Sequence, residues 1–166
     1  MVILGIDPGL HATGYGVVEV SSTTLRVITA GDIRPSRVQR LEERLACIHG
    51  SLEALVDQYH PDTIVLEQIF THHHHVTTAA LMAHARGVAC LIAQEHGVSL
   101  AEYPATQVKK SLTGTGSASK DQVAHMVGQW LRYSDVSWSA DATDALALAI
   151  VHAHVMMQRR NLPVGV

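Results

Sequence analysis

Four carboxylates stand where acids could act together. Asp7 closes the apolar run Val2 to Ile6 and opens the turn Pro8-Gly9. Glu67 closes a second apolar run, Thr63 to Leu66. If the two runs are neighbouring parallel strands, both acids leave the same edge of a sheet, where the binding sites of such sheets lie. Asp141 and Asp144 are spaced i, i+3 and share one helix face, and the alanines and leucines after them send that helix into the core. Hard oxygen ligands drawn from several elements suit Mg²⁺, with Mn²⁺ as the alternative. Two such ions per site, about 3.5–4 Å apart, can activate water and stabilise the leaving oxygen of a phosphodiester. Each acid also has a plainer reading. Asp7 before Pro8-Gly9 could be a turn residue, and Asp141 and Asp144 could complement a helix dipole. The quartet is more specific than any one member.

The elements that must hold these residues can be read from patterning. Tyr15 to Val20 and Leu25 to Ile33 read as strands joined by a short polar link, so the first three strands predict an antiparallel meander. A helix is predicted from Ser36, with Gln39 at capping-box spacing. Its apolar stripe is Val38, Leu41, Leu45, Ile48, Leu52, Leu55 and Tyr59, and Pro61 ends it. The next helix, Thr77 to His96, is rich in Ala and Gly, small enough for another helix to approach closely, and stops at Gly97. Ser99 to Tyr103 is a fifth strand. A short helix over Gln107 to Leu112 breaks at Gly114-Thr-Gly116. Ser119 and Gln122 form a second capping box for a helix to Leu131, and the last helix runs from Ala140 to Met157. The order βββαβαβααα predicts an α/β fold, a mixed five-stranded sheet with helices on both faces. One domain is expected over residues 1–158, with a short tail at 159–166.

Composition narrows the class. Of 166 residues, 47% are apolar and 16% charged, which supplies one buried core and excludes a disordered chain. No apolar run reaches the ~18 residues of a membrane span, and the opening segment reads as a strand rather than a signal peptide. Cys47 and Cys90, set among apolar neighbours, are expected to be buried thiols and suit the cytoplasm. Twelve Lys and Arg face fifteen Asp and Glu, a net charge of −3. Bulk charge therefore cannot hold a nucleic acid, and phosphates could be met only by a local basic patch or by metal ions among the acids.

Several motifs stand in a fixed order along the chain: Gly5-Ile-Asp7-Pro-Gly9 with Thr13-Gly-Tyr-Gly16, Glu67-Gln-Ile-Phe70, Ala85-Arg-Gly-Val88, Gln107-Val-Lys109, Gly114-Thr-Gly-Ser-Ala118 with Lys120, and Asp141-Ala-Thr-Asp144. In their order and spacing the chain resembles the RuvC family of bacterial Holliday-junction resolvases. The resemblance implies a ribonuclease-H-like fold, a homodimer, and a need for Mg²⁺ or Mn²⁺. The implied activity is a pair of symmetric nicks in a four-way junction during DNA recombination and repair, leaving 5′-phosphate ends, in partnership with the RuvA–RuvB branch-migration complex. By the same resemblance Asp7, Glu67, Asp141 and Asp144 are the catalytic, metal-binding acids. Lys109 and Lys120 are the basic residues beside them, and Phe70 lies near the junction centre.

Other residues are weighed beside this. Phe70 is the only phenylalanine, a type more often found in cores, but it follows a strand end and precedes the polar run His72 to His75. Those four histidines suit either a metal site or a solvated DNA-facing loop, of which the loop is preferred. Arg86 is a helix-surface charge or an anchor for the DNA backbone. Arg34, Arg37, Arg40 and Arg44 read as a solvated face, partly paired with Glu42 and Glu43. Three rivals are disfavoured. An actin-like ATPase or sugar kinase needs two lobes of this size. A junction-binding module without catalysis would not gather acids that repel DNA. A different nuclease of the same fold would not be expected to match every motif.

Overall fold

Five strands make one mixed sheet in the order β3-β2-β1-β4-β5. They are β1 (Val2–Asp7), β2 (Thr13–Ser21), β3 (Thr24–Ile33), β4 (Thr63–Glu67) and β5 (Ser99–Tyr103). The first three form the expected antiparallel meander, whereas β4 and β5 run parallel to β1. The helices are α1 (Leu41–Tyr59), α2 (Val76–Glu95), α3 (Ala105–Thr113), α4 (Lys120–Leu131) and α5 (Ala140–Asn161). The chain, a computed structural model, is described over residues 1–21, 24–68, 76–133 and 138–161.

Side chains of a strand alternate between faces, and this splits the core in two. Leu4, Ile6, Val17, Ile64 and Leu66 pack with Ile48, Leu52 and Val56 of α1 and Ala85, Ala89 and Ile92 of α2. Ile3, Val18, Val20 and Val65 pack on the opposite face with residues of α3, α4 and α5. A fully buried Leu, Ile or Val contributes roughly 1.5–3 kcal/mol, so both faces matter to stability. The most enclosed helix is α5, where Ala145, Leu146, Ala149, Ile150 and Val151 are at 0% exposure. It lies so close to the sheet that a Cβ at Gly5 would strike the Ala145 carbonyl oxygen, and one at Gly14 that of Asp141.

The first helix starts later than expected. Residues 36–39 instead close a turn, in which the Ser36 amide donates to Gln39 Oε1 at 2.9 Å and the Gln39 amide to the Ser36 carbonyl at 3.2 Å. The helix proper opens at Leu41, where the Arg40 amide donates to Glu43 Oε2 at 2.8 Å and Glu42 and Glu43 face the positive end of the dipole. Val38 thus leaves the apolar stripe and is 93% exposed. The second capping box forms as the spacing predicts, with Ser119 Oγ accepting from the Gln122 amide. Gly97 and Gly114, both at positive φ, follow α2 and α3. Cys47 and Cys90 are half-buried free thiols rather than fully buried ones. Among the described residues no helix is long and apolar enough to cross a membrane.

Candidate active site

Strand parity brings the first two acids together. In the parallel register Gly5 pairs with Val65 and Ile6 with Leu66, so Asp7 and Glu67 end neighbouring strands side by side. Both share the parity of Ile3 and Val65, the face covered by α5. The antiparallel register sets Gly14 opposite Asp7, and Gly14 is where the Asp141 carbonyl presses on the sheet. Missing side chains at the sheet thus let the first turn of α5 carry Asp141 and Asp144 to the strand ends. That turn is anchored by Ser139, whose Oγ accepts from the Ala142 amide at 3.0 Å and donates to Asp32 of β3 at 2.5 Å.

A cleft of about 300 Å³ results, lined by Asp7, Glu67, Asp144, Lys109 and Lys120 with Met82 and Val108 beneath. Lys120 Nζ lies 2.9 Å from Asp144 Oδ2. Asp141 does not line this cleft; it lies 3.7 Å from the Arg34 guanidinium, which also pairs with Asp32 at 2.8 Å. Lys109 is half-buried, whereas Lys110 is exposed to solvent. Burial pushes the Asp7 carboxyl up to about 7, and the charges of Asp144, Glu67 and Asp141 add to the effect against the opposing pull of Lys120. Burial and Asp144 raise Glu67 as well, while Lys120 and Lys109 oppose them. The hydrogen bond to Asp144 raises Lys120, so its ammonium stays charged.

These residues fit a divalent cation. The donors are all hard carboxylate oxygens. The Lys120 ammonium already sits on one of them as a stand-in positive charge. The Asp7 carboxyl is raised first by burial and then by the charges of Asp144, Glu67 and Asp141, both of which a bound cation would offset. Among the described residues no three such side chains are yet drawn tightly enough to chelate an ion. Lys120 holds Asp144 by its 2.9 Å contact.

Two arginines depart from their sequence reading. Arg86, read either as a helix-surface charge or as an anchor for the DNA backbone, turns its guanidinium inward, donating to the Glu67 carbonyl at 2.7 Å and pairing with Glu102. Arg44 was expected on a solvated face, yet it is 9% exposed and donates to the Leu10 carbonyl at 2.5 Å and to His11 Nδ1 at 2.9 Å. It thereby braces the turn after Asp7, which Thr13 also closes by donating to the Gly9 carbonyl at 2.8 Å. The apolar stripe gave no warning of this, because Arg44 lies beside the stripe and its long side chain reaches across to the loop. Asp32 and Ser139 were missed too; only the Ser three residues ahead of Ala142 hinted at a cap. Phe70 and His72 to His75 lie outside the described residues.

The family described as "Crossover junction endodeoxyribonuclease RuvC" matches residues 3–152 of the chain. A protein of that description from Legionella pneumophila (strain Lens) is 42% identical over 154 residues, covering 93% of this chain and 87% of the relative. Another from Chromohalobacter salexigens is 41% identical over 162 residues, covering 98% and 85%. Among solved structures, Thermus thermophilus RuvC in complex with a Holliday junction substrate superposes with a TM-score of 0.89 at 31% identity, covering 96% of each chain. The yeast mitochondrial Holliday junction resolvase Ydc2, at 11% identity and a TM-score of 0.64, shares the fold.

Proposed function

The chain belongs to the RuvC family of crossover junction endodeoxyribonucleases, and from that premise we propose that it resolves Holliday junctions by paired, symmetric nicks. The observation that carries the reading is the convergence of Asp7, Glu67 and Asp144 on one cleft that also holds Lys109 and Lys120, with Asp141 near enough for its charge to act on Asp7. Asp7, Glu67, Asp141 and Asp144 are the residues that would hold Mg²⁺ or Mn²⁺, two ions per site. Bound there, such ions supply Lewis-acid activation of water and stabilisation of the leaving oxygen. The chain's own residues do the rest. Lys120 holds the Asp144 carboxylate in place through its 2.9 Å contact. Burial and the neighbouring acids raise the Asp7 carboxyl to about 7, so a cation held there would compete with its proton. Lys109 and Lys120 present ammonium groups to a phosphate entering the cleft.

Phe70, three residues beyond Glu67, is read from its position in the sequence as a stacking platform for a base unpaired at the crossover. Paired nicks in a four-way junction call for two sites related by a two-fold axis. The outward face of α2 supports such a homodimer: Ala80, Leu81, Ala83, Gly87 and Leu91 are exposed, Leu91 at 49%. We read residues 1–158 as one nuclease domain with 159–166 as a tail. The RuvA–RuvB complex is its partner in a reducing cytoplasm, and the products carry 5′-phosphates. Incubation with a synthetic four-way junction and a matched linear duplex, with and without Mg²⁺, tests the reading. Symmetric nicks in the junction alone, only with the ion, are expected. Equal cutting of the duplex, or none of either, would overturn it.

A further inference from the structure

We propose that Arg86 is a positioning residue, which locks the Glu67 end of β4 from α2 with Glu102 as its counter-ion and does not contact DNA. A strand end is a place where backbone frays, yet Glu67 has to present a carboxylate at a fixed point. Its carbonyl accepts from Arg86 at 2.7 Å, and the following amide, Gln68, donates to the Tyr103 carbonyl at 2.9 Å. Both polar groups of the single Glu67–Gln68 peptide unit are therefore held, the carbonyl from α2 and the amide from β5. The other arm of the guanidinium pairs with the Glu102 carboxylate, also on β5. At 16% side-chain exposure the group has little surface left for an external phosphate.

Only a planar fork can serve both acceptors. An ammonium is a point charge that reaches one of them well and loses the geometry that orients the other. The helix behind Arg86 is itself firmly seated, because Ala85 and Ala89 are 1% and 0% exposed against the sheet. Its opposite side carries the exposed Ala83 and Gly87. Arg86 therefore connects the helix face assigned above to the two-fold contact with the strand end that bears Glu67. Groups that orient a metal ligand from behind change metal affinity or activity by about 10–100-fold when removed.

The proposal rests on the resolvase reading for its activity measurements, but not for its binding measurement. Three variants are compared with wild type: Arg86→Met, Arg86→Lys and Glu102→Gln. Mn²⁺ binding is followed by calorimetry, junction affinity is measured without divalent ions, and the single-turnover rate is measured at saturating junction. Arg86→Met is expected to weaken Mn²⁺ binding and slow the rate by about 10–100-fold, with junction affinity within about twofold of wild type. Arg86→Lys should recover part of both losses, and Glu102→Gln should show a smaller loss of the same kind. A fall in junction affinity with unchanged Mn²⁺ binding would make Arg86 a DNA contact and overturn the proposal, as would no change in any measure. If Arg86→Met fails to melt cooperatively, Arg86→Lys and Glu102→Gln decide by the same criteria. If wild type fails to nick junctions, the resolvase reading falls, while Mn²⁺ binding still decides the role of Arg86.

Discussion

A carboxyl held up to about 7 keeps its proton over a range where most carboxyls have lost theirs, and Asp7 is such a group. Its ordinary value is 3.8, so the folded chain binds that proton more tightly than the unfolded chain does. The stability this confers is complete below about pH 4 and is lost as pH rises through about 7. Asn at this position cannot ionise and escapes the loss. In chelator, Asp7→Asn should therefore melt at a rising advantage over wild type from pH 4 to about 7.5, then level off. Each kcal/mol corresponds to roughly 2–4 °C for a chain of this size. A gap independent of pH would show that Asp7 is not strained by burial and its neighbouring acids. The same proton competes with metal, so Mn²⁺ affinity of wild type should climb between pH 6 and 8. The variant should bind junctions normally and leave them uncut.

Elements place these groups through their ends. Lys120 is the first residue of α4, and its reach to Asp144 depends on the cap at Ser119. Ser119→Ala should cost about 1 kcal/mol in denaturant unfolding. It should also lower the cleavage rate, because the frayed turn carries Lys120. An unchanged rate would assign the lysine's position to the body of α4. Gly14 acts at the sheet. A methyl group there meets the Asp141 carbonyl, which is backbone and cannot swing aside. The start of α5 must then lift, and a displacement of about 1 Å at a catalytic group can cost about 100-fold in rate. Gly14→Ala should show that loss in single-turnover cleavage with junction affinity retained. Wild-type cleavage would mean that the acids on α5 tolerate displacement.

At the scale of the whole molecule, a chain with a net charge of −3 has to gather DNA by local contacts. Log affinity should still fall steeply with log salt, and Lys109→Ala should reduce that slope by about one unit. A salt-independent affinity would mean that shape and stacking hold the junction. Two nicks further require two copies. A bulky residue at Ala83, on the exposed side of α2, should split the dimer in sedimentation while leaving the monomer folded. A dimer of unchanged stability would move the two-fold contact to another surface.

Much of this site was legible in the linear sequence because its placement is periodic. Strand alternation puts Asp7 and Glu67 on one face, and the i, i+3 spacing of Asp141 and Asp144 puts those two on one side of α5. Ser119 with Gln122, and the glycines after α2 and α3, mark helix ends by local hydrogen bonding and φ alone. Local chemistry could not rank Ser36–Gln39 against Arg40–Glu43, since both spacings close hydrogen bonds and only one leads into a packed helix. Long side chains were the other limit. Arg44 and Arg86 sit at positions that look solvated on a helical wheel, but each spans to a carbonyl 34 or 19 residues away in the chain. Which acceptor a guanidinium finds is a property of neighbouring elements, as is the close approach of α5 to Gly5 and Gly14. Periodicity thus determined which acids share a face of the sheet or of α5. Only tertiary packing decided what holds them there, because bracing contacts join residues whose proximity no repeat encodes.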